Sequence, residues 1–166
     1  MRAFIALAAT CAALGFGTAQ AQQPQQPAAA PPAYGEPLSI DQARKAGDAA
    51  MAEAKKNNWF MAIAVVGPSG DLVLFQKMDN TQYGSVTIAQ RKARAAAIFR
   101  RTTKTFEERI ASGGVGVALI TLDGVIGSEG GIPIMVGGKV VGAIGCSGGT
   151  GQQDGVACQA GVDALK

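Results

Sequence analysis

The sequence predicts an α+β fold, an antiparallel β-sheet of about five strands with helices packed on it. Two observations carry this. The element signals run helix, two strands, two helices, strands, helix, so helices do not alternate with strands as a doubly wound parallel sheet requires. The stretch Gly130 to Thr150, GGIPIMVGGKVVGAIGCSGGT, reads as two strands joined by a tight turn. Its Val136-Gly137-Gly138-Lys139 segment supplies the Gly-Gly pair of a primed hairpin turn, where both central residues need positive φ. The strands on either side, Ile132 to Val136 and Val140 to Ile144, are apolar and β-branched.

The first helix opens on Ser39-Ile40-Asp41-Gln42, a capping box, and should run to about Asn57. Ile40, Ala43, Gly47, Ala50, Met51 and Ala54 recur along one face at helical spacing. Trp59 to Val66 is apolar enough to be a central strand, and Leu72 to Met78 follows it across the Gly67-Pro68-Ser69-Gly70-Asp71 turn. Tyr83 to Arg101 is an alanine-rich second helix with Ser85 as its N-cap, and Lys92 and Arg100 lie on its alanine stripe. Thr102 to Ser112 is a short third helix, with Thr103 or Thr105 as N-cap and Phe106 and Ile110 facing inward. Val117 to Leu122 reads as a strand, and Val125-Ile126 as another short strand or edge. After the hairpin, Gln152 to Lys166 closes the chain as a helix.

The ends organise the rest. Residues 1–21 have the pattern of a secretory signal peptide: Arg2, an apolar run from Ala3 to Phe16, and Ala19-Gln20-Ala21 as cleavage site. The expected destination is the periplasm or the medium. Residues 22–37, QQPQQPAAAPPAYGEP, cannot bury a core and read as a disordered or polyproline-like linker. Residues 38–166 suffice for one domain. Once Arg2 leaves with the leader the net charge is about +2, too weak to argue for nucleic acid or an anionic membrane, and no other segment is long and apolar enough to cross a bilayer. Cys146 and Cys158, twelve positions apart, are either a disulfide permitted by export or two separately buried small hydrophobes.

The 166 residues contain no histidine. That removes a Ser-His-Asp triad, a Cys-His pair, a histidine zinc site and a histidine-ligated haem. Gly145-Cys146-Ser147-Gly148-Gly149 misses the spacing of a nucleophile elbow; it reads instead as a plain turn or an anion nest, with Asp154 capping the last helix. No carboxylate pair stands at a spacing that argues for acid–base catalysis, and no catalytic residue is assigned. Arg91, Lys92, Arg94, Arg100, Arg101 and Lys104 form a basic zone, which is either a solvated helix face or a wall that binds carboxylates or phosphates. Asp79 ends the second strand, and Glu129 is the acid beside the hairpin.

At Asp79, Lys92-Ala93, Gly130-Gly131-Ile132-Pro133-Ile134, Gly142-Ala143-Ile144-Gly145 and Asp154 the chain resembles the GlcG/HbpS family of haem-binding and haem-degrading-type proteins. It is also similar to the C-terminal domain of PduO. The resemblance covers nearly all of residues 38–166. It implies haem or another tetrapyrrole as ligand, a role in haem or iron handling, and a homo-oligomer, often an octamer. It places Thr103 where one branch of the family contacts haem. A haem site would then lie near the second and third helices, with propionates on Arg100, Arg101 or Lys104. The alternative is a small-organic-acid-binding accessory protein that uses Asp79, Lys92 and the Gly130-Gly131 loop. A third reading, an enzyme acting on such a ligand, lacks acid–base apparatus. The metal, if any, is left unknown.

Overall fold

A computed structural model describes residues 29–166. The expected signal peptide, and the linker up to residue 28, lie outside the described residues. The elements are α1 (Ile40–Lys56), β1 (Ala62–Val66), β2 (Leu72–Lys77), α2 (Gly84–Phe99), α3 (Thr103–Ala111), a 3-10 helix (Gly114–Thr121), β3 (Gly131–Val136), β4 (Lys139–Ser147) and α4 (Gly151–Asp163).

The strands form one sheet in the order β2-β1-β4-β3, antiparallel throughout. β1 is central and wholly buried, as its unbroken apolar sequence requires. The Gly137-Gly138 turn has φ of 56° and 74°, as the hairpin reading demands. β4 runs on to Ser147, beyond the Ile144 end expected from sequence, because it pairs with β3 on one side and β1 on the other.

α1 and α4 cover one face of the sheet. Their core unites Ala43, Ala50, Ile63, Val65, Ile134, Ile144 and the cysteine pair. Each large aliphatic buried there contributes about 1.5–3 kcal/mol. Both helices begin with a complete capping box, Ser39 with Gln42 and Thr150 with Gln153. On α1 the buried stripe takes Ala46 and leaves Ile40 exposed. α2 covers the other face by packing Ala89, Ala93, Ala96 and Ala97 on Ala62, Ala64, Val66 and Ala143. Small residues on both sides bring helix and strand into backbone contact. A Cβ at Gly145 would collide with the Ala89 carbonyl and the Ala93 amide.

The sheet has four strands, not about five. Of Val117–Leu122, expected as a strand, all but the terminal Leu122 lies in the 3-10 helix, and Val125-Ile126 is not a strand. Gly113 and Gly114 enter that segment at φ of 73° and 57°, outside the β region, and β3 already occupies the sheet edge. Two cap expectations also change. Tyr83, not Ser85, precedes α2; Ser85 is buried and bonds Ser147. Thr102 sits at the cap position of α3 without a side-chain cap bond, while Thr103 is turned inward.

Cys146 and Cys158 form a disulfide between β4 and α4, with Cα atoms 5.7 Å apart. The end of the proline-rich stretch is seated on the sheet: Gly35 N donates to Val140 O, Val140 N to Ala33 O and Leu38 N to Val141 O. There it lies along the part of β4 that β1 does not reach.

Candidate functional site

Three elements converge on the Gly130-Gly131 entry to β3. Lys92 reaches it from α2, and its ammonium lies 2.7 Å from Asp154 Oδ2 on α4. Both residues are essentially out of solvent, at 1% and 2% exposure. Asp154 Oδ1 accepts from Gly149 N at 3.0 Å, so the acid is turned back onto the turn before α4. It is Thr150, not Asp154, that caps the helix. Burial pushes the Asp154 carboxyl above its ordinary value, opposed by the Lys92 ammonium and the Gly148 and Gly149 amides. From α3, Thr103 Oγ1 accepts from Gly131 N at 2.9 Å and is fully buried.

The glycines allow this convergence. Gly130 has φ of 123°, and a Cβ there would come 2.7 Å from Asp154 Cβ and 3.0 Å from Lys92 Nζ. A Cβ at Gly131 would fall on the Lys92 carbonyl and 2.6 Å from Thr103 Cγ2. Lys92, Thr103 and Asp154 therefore form a buried support beneath a strip of bare backbone.

That strip floors a cavity of about 400 Å³, within the usual range for small-molecule sites. Thr102 and Lys104 line it from the start of α3, Thr102 being the cap residue, Glu129 to Ile132 from the entry to β3, and Gln152, Gly155, Val156 and Gln159 from α4. On that lining Lys104 Nζ is 3.2 Å from Glu129 Oε2. The surface thus offers one ammonium, one carboxylate, one hydroxyl, two carboxamides, backbone and the apolar Ile132 and Val156.

A model of a protein family described as "Haem degrading protein HbpS-like" matches residues 38–163. The chain belongs to the HbpS-like family. Protein GlcG of Escherichia coli strain K12 is 41% identical over 95 residues, which span 57% of this chain and 69% of GlcG. The crystal structure of HbpS superposes with a TM-score of 0.73 at 28% identity, covering 80% of this chain and 92% of the HbpS chain. The crystal structure of the PduOC:haem complex gives a TM-score of 0.71 at 21% identity, over 78% of this chain and 96% of the other, and that likeness shows the fold alone.

Within this HbpS-like domain the eight residues singled out from sequence fall in different places. Lys104, Gly130 and Gly131 line the cavity; Lys92 and Thr103 lie behind its floor. Arg100 sits in the left-handed region at φ 54°, stacks on Tyr34 at 5.1 Å and donates from Nη1 to Pro32 O. Arg101 lies over Phe106 at 5.9 Å and donates from Nε to Phe99 O. Asp79 lines a separate cavity of about 550 Å³ with Asp48, Met51, Lys55 and Phe60. The basic zone is thus no single wall, since Arg91 and Arg94 face yet another cavity beside the β1–β2 turn.

The α4 side of the cavity was not among the residues expected from sequence. Gln152, Gly155, Val156 and Gln159 stand at helical i, i+3, i+4, i+7 spacing, a signal that was present but was not tied to the hairpin.

The cavity fits a tetrapyrrole in part. Lys104 suits a propionate, and Ile132, Val156 and bare glycine backbone suit a flat apolar face. Its lining includes no histidine, cysteine, methionine or tyrosine to bind iron. The Thr103 hydroxyl is buried on Gly131 N, and Cys146 and Cys158 are spent in the disulfide. Among the described residues no three His, Cys, Asp or Glu side chains gather to hold a metal ion, and no helix is long and apolar enough to cross a membrane.

Proposed function

We propose that this chain is an exported protein of the periplasm or medium that binds haem or a related tetrapyrrole in the cavity between α3, β3 and α4, with a role in haem or iron handling. The observation that carries this reading is the pairing of one accessible ammonium, Lys104, with the bare backbone of Gly130 and Gly131 and the apolar Ile132 and Val156. Membership of a family described as haem-degrading supports it. Lys104, Gly130 and Gly131 touch the ligand, while Lys92 and Thr103 keep the floor in place. Because the lining holds no customary iron ligand, recognition falls on the acid edge and the ring. Titration of the protein purified without its leader with hemin, and in parallel with iron-free protoporphyrin IX, tests this. Comparable binding of both at micromolar protein is expected; no spectral change with either removes the reading.

A second reading, a non-enzymatic accessory protein for a small organic acid, is favoured by the Gln152 and Gln159 carboxamides, which suit a short hydroxylated acid better than a ring. Thermal stabilisation by hydroxy acids but not by tetrapyrroles would select it.

We also propose a homo-oligomer, with an octamer as the assembly the family resemblance implies. Support comes from Val115, Val117, Ile120 and Leu122, which leave an apolar surface around the 3-10 helix, Val115 being 93% exposed. Native mass spectrometry decides it, and a monomer at working concentration rules it out.

A further inference from the structure

Glu129 and Lys104 pair with each other on the lining of the cavity. Glu129 Oε1 and Oε2 lie 3.3 and 3.2 Å from Lys104 Nζ. The pair is open to water, with 49% of the Lys104 side chain and 21% of the Glu129 side chain exposed. Such a pair is weak and exchanges partners readily. Among the described residues, Lys104 is the one hydrogen-bond donor to that carboxylate.

The resting place of Glu129 is nevertheless shaped for it. A Cβ at Gly155 would lie 2.7 Å from Glu129 Oε1 and 3.1 Å from its Cγ, and one at Gly151 would lie 3.3 Å from its Cβ. α4 thus omits a side chain on two successive turns where the Glu129 side chain lies. The main chain of Glu129 is tied separately, its N–H donating to Glu107 Oε2. The carboxylate can therefore swing out while the backbone stays in register.

From this geometry we infer that Glu129 is a displaceable plug, whose carboxylate occupies the seat on Lys104 that a carboxylate of the ligand takes. The ligand is then an acid, and its entry exchanges one carboxylate for another at the same ammonium. Lys104 keeps an anionic partner in both states, and the space vacated against Gly155 becomes available. A neutral ligand of the same shape gains no such exchange. The inference rests on reading the cavity as a ligand site and names the chemical class that site takes.

The test compares protoporphyrin IX with its uncharged dimethyl ester on the wild-type chain, Glu129→Gln, Lys104→Met and the double variant. Removing the competing charge should tighten binding of the acid roughly two- to fivefold, the scale of a partly exposed ion pair. Lys104→Met should weaken it, Glu129→Gln should add nothing in the Lys104→Met background, and the ester should ignore both changes. Equal affinity of wild type and Glu129→Gln for the acid overturns the plug while leaving the tetrapyrrole reading intact. If no chain binds protoporphyrin, that reading falls. The plug is then judged by thermal stabilisation with propionate: a larger shift in Glu129→Gln upholds it, and no shift in either overturns it. Should Glu129→Gln fold poorly, Glu129→Asp, whose shorter carboxylate withdraws from Lys104, is expected to show the same gain, and its absence overturns the proposal.

Discussion

Lys92 Nζ and Asp154 Oδ2 meet at 2.7 Å with almost no solvent exposure, so the middle of α2 on one face of the sheet is joined to the first turn of α4 on the other. Two desolvated charges tolerate each other's presence far better than either tolerates the other's absence. Replacing Lys92 alone by methionine should cost about 3–5 kcal/mol in urea unfolding, because it strands a buried carboxylate. The double replacement Lys92→Met with Asp154→Leu should cost clearly less than Lys92→Met alone. A double variant as unstable as the sum of its singles would show that the two charges act independently.

The same pair sets a pH dependence. Burial raises the folded pKa of Asp154 above 3.8, so the folded chain binds this proton more tightly than the unfolded one. Its contribution is complete below the unfolded value and is lost as pH rises through the folded value. The stability difference between wild type and Asp154→Asn, followed by denaturant melts from pH 3 upward, should therefore fall across that window. A difference that grows with pH would mean that the Lys92 ammonium outweighs desolvation.

Thr103 is expected to serve through its hydroxyl. Thr103→Val keeps the shape but leaves Gly131 N–H buried without an acceptor, for a cost of about 1–3 kcal/mol. Thr103→Ser keeps the bond and should cost about 1 kcal/mol or less, the value of one buried methyl group. Equal losses in the two variants would place the role in packing instead.

At Gly131 the demand is for empty space. Gly131→Ala drives a methyl group into the Lys92 carbonyl, backbone that cannot step aside. The overpacking should cost about 1–3 kcal/mol and weaken binding in the cavity by moving its floor. Gly138→Ala has nothing within 4 Å and should leave binding unchanged, the strain at its φ of 74° being felt in stability alone.

The disulfide closes a loop of twelve residues between β4 and α4, worth about 3 kcal/mol in the chain-entropy account. Cys146→Ala with Cys158→Ala should lower stability by that order. A thiol titration of denatured, unreduced protein should find neither Cys146 nor Cys158 free; two reactive thiols there would refute the bridge.

Much of the frame was legible because it depends on local rules. The capping box at Ser39, the Gly137-Gly138 turn and the apolar β1 run each state a local preference that the fold satisfies. The misreading at Val117–Leu122 came from the same source, since apolar composition alone does not separate a strand from an exposed 3-10 turn of similar length.

The sequence by itself determined the α+β class, the antiparallel hairpins and the exclusion of histidine chemistry. Tertiary structure alone decided that Lys92 is buried against Asp154, that Arg100 and Arg101 rest on Tyr34 and Phe106, and that α4 supplies a wall of the cavity. The reason is physical: helix and strand signals act over a few residues, whereas which charge is buried and which is free depends on contacts between segments 62 positions apart.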